Sequence, residues 1–459
     1  MYILDFEHPV HVHFIGIGGI SMSGLAQVLL SRNFKVSGSD NQRSPLTDEL
    51  ERRGATIYIG QRAGNLSKDI DVCVYTAAIH PDNPEYAACV EMNITMLSRA
   101  QLLGQIMKNY ASPIAISGTH GKTTTTSMLS EILLGADTDP TLSIGGILKS
   151  INGNFRIGHS DYFLTEACEY TNSFLSFYPK YSIILNIEED HLDFFKDLSE
   201  IRDSFHRFAK LLPKDGALLI NGEIENYCEI TDDLDCRVYS FGMEESNDYY
   251  PTDITYNEKG CASYILHTPS GESIPVSLSV VGAHNVSNSV AALGMADIIG
   301  LPLMKAGADI TGCGGADRRF ELKGIVGGVT VIDDYAHHPT EIKATLEAAS
   351  KYPHQHLWCV FQPHTYSRTK AFMDDFADAL SNAEHVILAD IYAARETDTL
   401  GISSRQLQEK ISEKGTDCHY FRSFGEIEKF LLENCIPGDL LITMGAGDVV
   451  KVGENLLGQ

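Results

Sequence analysis

Short apolar runs alternate with longer amphipathic stretches from one end of the chain to the other. Near the start, Val10 to Ile15 reads as a strand interrupted by His11 and His13, Met22 to Leu30 as a helix, and Lys35 to Gly38 as a second strand. Further strands are predicted at Thr56 to Ile59, Asp71 to Tyr75 and Ile94 to Leu97, separated by helices at Thr47 to Arg53, Pro84 to Met92 and Arg99 to Met107. Such alternation builds a parallel sheet. The pattern resumes with a strand at Ile114 to Ile116, a helix from Lys122 to Leu134, and strands at Asp161 to Thr165 and Tyr181 to Ile187. Strand-like pieces rich in Tyr, Asp and Glu across 216–280 predict a peripheral antiparallel section, and a helix opens at Ala283. A last alternation has strands at Val329 to Ile332, His356 to Phe361, Val386 to Ala389 and Asp439 to Thr443, with a helix at Ile342 to Ala349.

At 459 residues the chain is too long for a single core. The pattern predicts an α/β protein of three domains: 1–108, a Rossmann-like unit; 109–316, a central unit carrying a phosphate loop; and 317–459, a second Rossmann-like layer. The 35 Lys and Arg against 61 Asp and Glu give a formal charge of −26, which argues against a nucleic-acid or anionic-membrane surface. Phosphorylated ligands must therefore be held by local glycine loops, metal and a few cations. No apolar run approaches a membrane span, and the N-terminus lacks a basic start and a long apolar core, which predicts a cytoplasmic protein. The ten cysteines show no C-x-x-C pair and read as reduced, mostly buried residues.

The strongest chemical signal is Ser117-Gly118-Thr119-His120-Gly121-Lys122-Thr123-Thr124, which stands between a predicted strand and a predicted helix. Triphosphate oxygens are best held by backbone N–H groups at a helix N-terminus, and a side chain at either glycine would block that approach. Lys122 would neutralise β/γ-phosphate charge and the Thr123 hydroxyl would ligate Mg²⁺. The loop is shorter than the common pattern, whose first glycine would fall on Ile116.

Other candidates sit just past predicted strands, where open α/β sheets bind ligands. Gly16-Ile17-Gly18-Gly19 after the first strand, with Ser39-Asp40 after the second, resembles a dinucleotide turn with Ser21 in place of the third glycine. It fits either a dinucleotide or a nucleotide diphosphate-sugar. His80 follows another strand and is equally readable as a loop residue. Thr123, Glu166 and His191 are possible Mg²⁺ ligands, although by residue type alone His191 reads better as a hydrogen-bonded loop histidine, and the run Glu188 to Asp190 equally as a solvated turn. His284, Asn285 and Asn288 share the opening of a helix and fit either adenine recognition or an ordinary helix start. Two later strand ends, Asp333 to Glu341 and Gln362 to Lys370, concentrate Asp, Tyr, His, Arg and Lys.

Gly118 to Thr123, Glu166-Ala167-Cys168-Glu169, Asn186 to His191, His284-Asn285, Arg318-Arg319-Phe320, Asp333 to Pro339 and Gln362 to Arg368 occur in this order, and essentially the whole chain resembles the Mur ligases. The resemblance implies a first domain holding the UDP part of UDP-N-acetylmuramate, around Gly16, Gly18, Gly19, Ser39, Asp40 and His80. It implies ATP bound by Gly118, Thr119, His120, Gly121, Lys122, Thr123, Thr124, His284, Asn285, Asn288, Arg318 and Asp334, with Mg²⁺ on Thr123, Glu166 and His191. Tyr335, His337, His364 and Arg368 would hold the amino acid and the phosphorylated intermediate, with Lys122, His191, His337 and Arg368 in catalytic roles.

Within the family, His13 to Gly19 with Asp333 to Pro339 points to the branch that joins L-alanine to UDP-N-acetylmuramate, as a monomer or weak homodimer. A murein-tripeptide recycling ligase or another amino-acid ligase is the alternative. Outside the family, an NAD-dependent oxidoreductase leaves Gly121-Lys122-Thr123 unexplained, and a non-catalytic UDP-sugar sensor remains open. Two departures stand out. Where several relatives carry a carbamylated lysine this chain has Phe205-His206, so no carbamate is expected; and Thr365 stands where some alanine ligases have arginine, leaving that charge to Arg368 alone or with Arg395.

Overall fold

The computed structural model describes residues 2–394 and 396–459, so Arg395 lies outside the described residues. The first sheet comprises β1 (His11–Ile15), β2 (Lys35–Asp40), β3 (Thr56–Ile59), β4 (Val72–Tyr75) and β5 (Thr95–Ser98). It is wholly parallel in the order β3-β2-β1-β4-β5. Three of its helices, Pro45–Arg52, Pro84–Glu91 and Arg99–Met107, begin where side chains satisfy free backbone donors. At Arg99–Met107, for example, Gln101 N donates to the Ser98 hydroxyl while Ser98 N donates to Gln101 Oε1.

The middle sheet comprises β6 (Ser112–Ser117), β7 (Thr141–Leu148), β8 (Gly153–Arg156), β9 (Tyr162–Glu166), β10 (Tyr181–Ile184), β11 (Ala217–Asn221) and β12 (Arg237–Phe241), ordered β12-β11-β10-β6-β9-β7-β8. Only β8 runs antiparallel. Here the expectation for 216–280 is corrected: β11 and β12 are parallel strands of this sheet. The apolar run of β11 is buried on both faces, as parallel strands are, so it carries no alternation to read. The antiparallel section is β13 (Tyr250–Tyr256), β14 (Cys261–His267) and β15 (Ser273–Val281), whose last strand alternates exposed and buried residues along most of its length.

The last sheet holds β16 (Glu321–Val326), β17 (Val329–Asp334), β18 (Leu357–Phe361), β19 (His385–Leu388), β20 (Asp417–Tyr420) and β21 (Leu440–Met444), in the order β16-β17-β21-β18-β19-β20. Its edge strand β16 is antiparallel and was not anticipated, because a bulge between Leu322 and Gly324 breaks the alternation of its side chains. One apolar cluster runs from the first sheet and its last helix (Val12, Phe14, Leu102) to the middle sheet and its helices (Phe163, Phe174, Phe205), which docks the two units against each other. The carboxyl ends of β6, β10 and β17 then face a common crevice, where His120, Glu188 and Glu341 meet.

Candidate active site

β6 ends at Ser117, and the chain turns through Gly118 (φ +139°) and Gly121 (φ +82°) into the helix Lys122–Gly135. Only glycine suits Gly121: its φ is left-handed, and a Cβ there would lie 2.6 Å from Asn288 Oδ1. Asn186, past β10, clamps the loop by accepting from His120 N at 2.8 Å and donating to His120 O at 3.1 Å. Lys122 Nζ donates to Gly118 O, to Thr119 O at 3.0 Å and to the buried Glu169 at 3.1 Å. Burial opposes its charge, and Glu169 more than restores it, raising the ammonium above its usual range. The Thr123 hydroxyl donates to Glu166 Oε2 at 3.1 Å, while Thr125 and Thr126 are buried in the helix packing.

Thr123 and Glu166 are thus together, and two hard oxygens, one on a buried carboxyl that burial raises, suit Mg²⁺. His191 stands beside Glu169, the partner of Lys122. It adopts φ +52°, stacks on Tyr170 at 4.4 Å and brings Nε2 to 3.8 Å from Glu169 and 3.6 Å from Asp190. Among the described residues, the His and carboxylate atoms that gather within 4.8 Å as a threesome belong to His120, Glu188 and His338. Burial lowers the His120 pKa, but Glu188 and Glu341 reverse this and push the ring up to about 9. A cationic ring has no lone pair for a metal.

A cavity of about 340 Å³ opens beside the loop. It gathers the predicted His120, Gly121, Thr124, His284, Asn285, Asn288 and Asp334. Burial pushes His284 down to about 4 and Asp334 up to about 6. Asp334 accepts from Phe320 N at 2.8 Å and Ala336 N at 2.7 Å. Arg318 is a correction. Its guanidinium is spent on Asp333 at 2.8 Å and on the carbonyls of Gly447 and Gly445, and Arg319 lines the cavity instead. The left-handed backbone at Arg318 (φ +62°) decides which of two adjacent arginines faces the site, and sequence pattern carries no sign of it. Asn186, Asn221, Phe320 and Glu341 also line this cavity without having been singled out as site residues.

A second cavity, of about 830 Å³, brings Tyr170, Asp190 and His191 of the middle unit to His337, His364 and Arg368 of the last. Arg368 reaches Asp190 at 2.8 Å and His364 Nδ1 at 3.2 Å. Burial would raise the Asp190 carboxyl, but Arg368 and His191 hold it well below the usual range. The run Glu188 to Asp190 is only partly solvated: Asp190 is buried, Glu188 accepts from Thr340 at 2.8 Å, and the carbonyl of the exposed Glu189 contacts His338 at 3.2 Å. Burial pushes His337 and His364 down to about 4, which leaves both neutral at neutral pH. The Tyr335 ring lies under Arg318 and Arg319 (5.0 and 5.3 Å) and meets the His337 ring of the larger cavity edge-on at 5.4 Å. Thr365, at φ +65°, caps the helix Tyr366–Ala371 and accepts from Arg368 N. Phe205 is buried in the core, and His206 pairs with Asp233 at 2.7 Å.

In the first sheet, Gly16 N and Ile17 N both donate to Ser39 O at 2.9 Å, and Gly18 N donates to Asp40 Oδ2 at 2.8 Å. The glycine turn is thereby tied to the end of β2. The Ser39 hydroxyl is a second correction: it is wholly buried and bonded to Glu85, so only its carbonyl serves the turn. Gly19 caps the first helix, and His80 is exposed past β4. Arg99 donates to Ser21 Oγ at 3.1 Å at the start of that helix, a contact the sequence did not signal.

Three family models match in succession: "Mur ligase family, catalytic domain" over 11–111, "Mur ligase middle domain" over 116–296 and "Mur ligase, glutamate ligase domain" over 318–447. The UDP-N-acetylmuramate–L-alanine ligase of Agathobacter rectalis is 59% identical over 457 residues, and that of Lachnospira eligens 58% over 458, each covering 100% of both chains. Among solved structures, the UDP-N-acetylmuramate-alanine ligase of Thermotoga maritima superposes with a TM-score of 0.80 at 26% identity over 98% of each chain. A murein peptide ligase from Psychrobacter arcticus gives 0.69 at 25%, also over 98% of each. Three successive domain models and full-length relatives above half identity place this chain in the Mur ligase family.

Proposed function

We propose that this protein joins L-alanine to the carboxylate of UDP-N-acetylmuramate, converting ATP to ADP and phosphate, as the first stem-peptide step of peptidoglycan precursor synthesis. The observation that carries the reading is the full-length identity of 59% to a ligase of that name. The unassisted reaction fails because a carboxylate offers no leaving group to an amine. Here the muramate carboxylate oxygen attacks the γ-phosphorus, the bond to the ADP oxygen breaks, and an acyl phosphate results. The alanine amine then adds to the acyl carbon, and the tetrahedral adduct expels phosphate.

ATP occupies the smaller cavity, its base against Asn285 and Asn288 and its phosphates at the loop residues His120, Gly121 and Thr124 that line it, next to Lys122. Lys122 exchanges Glu169 and its loop carbonyls for phosphate oxygens, which spreads charge as the γ-group transfers. Thr123 and Glu166 would hold Mg²⁺, which supplies charge neutralisation at the phosphates. Alanine enters the larger cavity, where Arg368 turns from Asp190 to the amino-acid carboxylate. The neutral His337 ring approaches the Tyr335 carbonyl with Nδ1 at 3.0 Å; an Nδ1–H there leaves Nε2 a lone pair to accept a hydrogen bond from the alanine ammonium and orient it. The UDP diphosphate is received at the N-terminus of the helix Ile20–Ser31, which the glycine turn leads into. ATP and nucleotide-sugar substrates put the reaction in the cytoplasm, and among the described residues no helix is long and apolar enough to cross a membrane. The chain acts as a monomer or weak dimer, which sedimentation velocity checks.

The test is amino-donor competition. L-alanine, a murein tripeptide and glutamate are offered together with UDP-N-acetylmuramate and ATP, and products are weighed by mass spectrometry. A UDP-muramyl-alanine mass is expected, while a tripeptide adduct would move the protein to the recycling branch.

A further inference from the structure

Glu341 lies in the first turn of the helix Pro339–Ser350, and its side chain is 14% exposed. The residue lines the nucleotide cavity, and its two oxygens contact residues of different cavities. Oε1 lies 3.3 Å from His120 Nδ1 in the phosphate loop and 3.9 Å from Arg319 Nη1, and both residues line the nucleotide cavity. Oε2 accepts from His337 N at 3.1 Å and lies 3.3 Å from His337 Nδ1, and that residue lines the larger cavity. Burial alone would raise this carboxyl; the contact with His337, whose backbone N–H it accepts, and the cationic His120 and Arg319 beside it outweigh that and keep it ionised.

We propose that Glu341 is a positioning residue that couples the nucleotide cavity to the amino-acid cavity, a role that rests on the ligase reading above. A single rigid carboxylate fixes the phosphate-loop histidine and the amino-acid-site histidine relative to one another, so displacement of either ring is felt by the other. An amide cannot replace it. With its oxygen toward His337 N, a glutamine turns its NH₂ on cationic His120 and Arg319; with the oxygen reversed, the NH₂ meets the His337 N–H.

The experiment measures kcat and the three KM values for the wild-type chain, Glu341→Gln and Glu341→Asp, beside their melting curves. Loss of a buried charge-assisted contact on both sides predicts that KM for ATP and for L-alanine each rise about fivefold or more, while KM for UDP-N-acetylmuramate stays within about twofold. Glu341→Asp keeps the charge but withdraws it, and gives the same split if the glutamine variant fails to fold. A rise confined to ATP or to alanine overturns the coupling, and so does a parallel rise in all three constants. Failure of the ligase reading shows separately, as absent alanine-dependent turnover in the wild-type chain, and takes this inference with it.

Discussion

Replacing Lys122 by alanine separates the two jobs of that side chain. In the empty loop the ammonium neutralises Glu169, which is 2% exposed and 3.1 Å away. Removing one member of a buried pair costs roughly 3–5 kcal/mol, because the remaining charge has neither water nor a partner. His191 Nε2 stays 3.8 Å from Glu169, so the low end, about 3 kcal/mol, is expected. For a unit of this size that is roughly 6–12 °C in the melting midpoint. Turnover should fall by about 10²-fold or more, because the same ammonium is needed at the transferring phosphate, while UDP-sugar binding at the first sheet stays largely intact. Thermal unfolding, phosphate release and calorimetry with UDP-N-acetylmuramate read the three effects apart. The double variant Lys122→Ala/Glu169→Gln should regain most of the midpoint and none of the turnover. A single variant as stable as wild type would refute the buried-pair argument, and turnover restored in the double variant would refute the catalytic one.

Arg319→Ala should raise KM for ATP about tenfold with little change in melting, whereas Arg318→Ala, which strands the fully buried Asp333, should cost about 3 kcal/mol of stability; steady-state kinetics and denaturation check the pair. His120, pushed up to about 9 from an ordinary value near ~6.5, contributes stability that is fully present below about pH 6.5 and lost as pH rises through about 9. That shift is worth roughly 3 kcal/mol, so melting from neutral to alkaline pH should fall more steeply for wild type than for His120→Gln, and parallel curves would contradict the assignment. Gly121→Ala forces a Cβ to 2.6 Å from Asn288 Oδ1 in a left-handed conformation that costs about 1–2 kcal/mol, so ATP affinity measured by calorimetry should drop with fold and UDP-sugar binding retained.

Much of this architecture was legible because buried strands and capped helices announce themselves locally. The strand Thr56–Ile59 and the helix Arg99–Met107 were read at their observed bounds. Alternation fails where it is physically absent. β11 is buried on both faces and was mistaken for part of an antiparallel section, and Gly145 and Gly146 within β7 hide that strand altogether. In the site, several residues named at strand ends and at a helix start line one cavity, because glycines, a lysine and a hydroxyl in a fixed order form a local pattern that the sequence carries. What did not come through depends on tertiary facing. Arg318 and Arg319 differ by one left-handed residue, and the Ser39 hydroxyl points into the core at Glu85. Likewise, Glu341 gains its place only once β6 and β17 deliver their ends to the same crevice.

Activation of the muramate carboxylate by phosphoryl transfer is the central claim, and isotope transfer tests it most directly. UDP-N-acetylmuramate labelled with heavy oxygen in its carboxylate is turned over with ATP and L-alanine, and the released phosphate is weighed. The account predicts one labelled oxygen in each phosphate, carried from the carboxylate through the acyl phosphate. Unlabelled phosphate from a reaction that still forms the amide would contradict it.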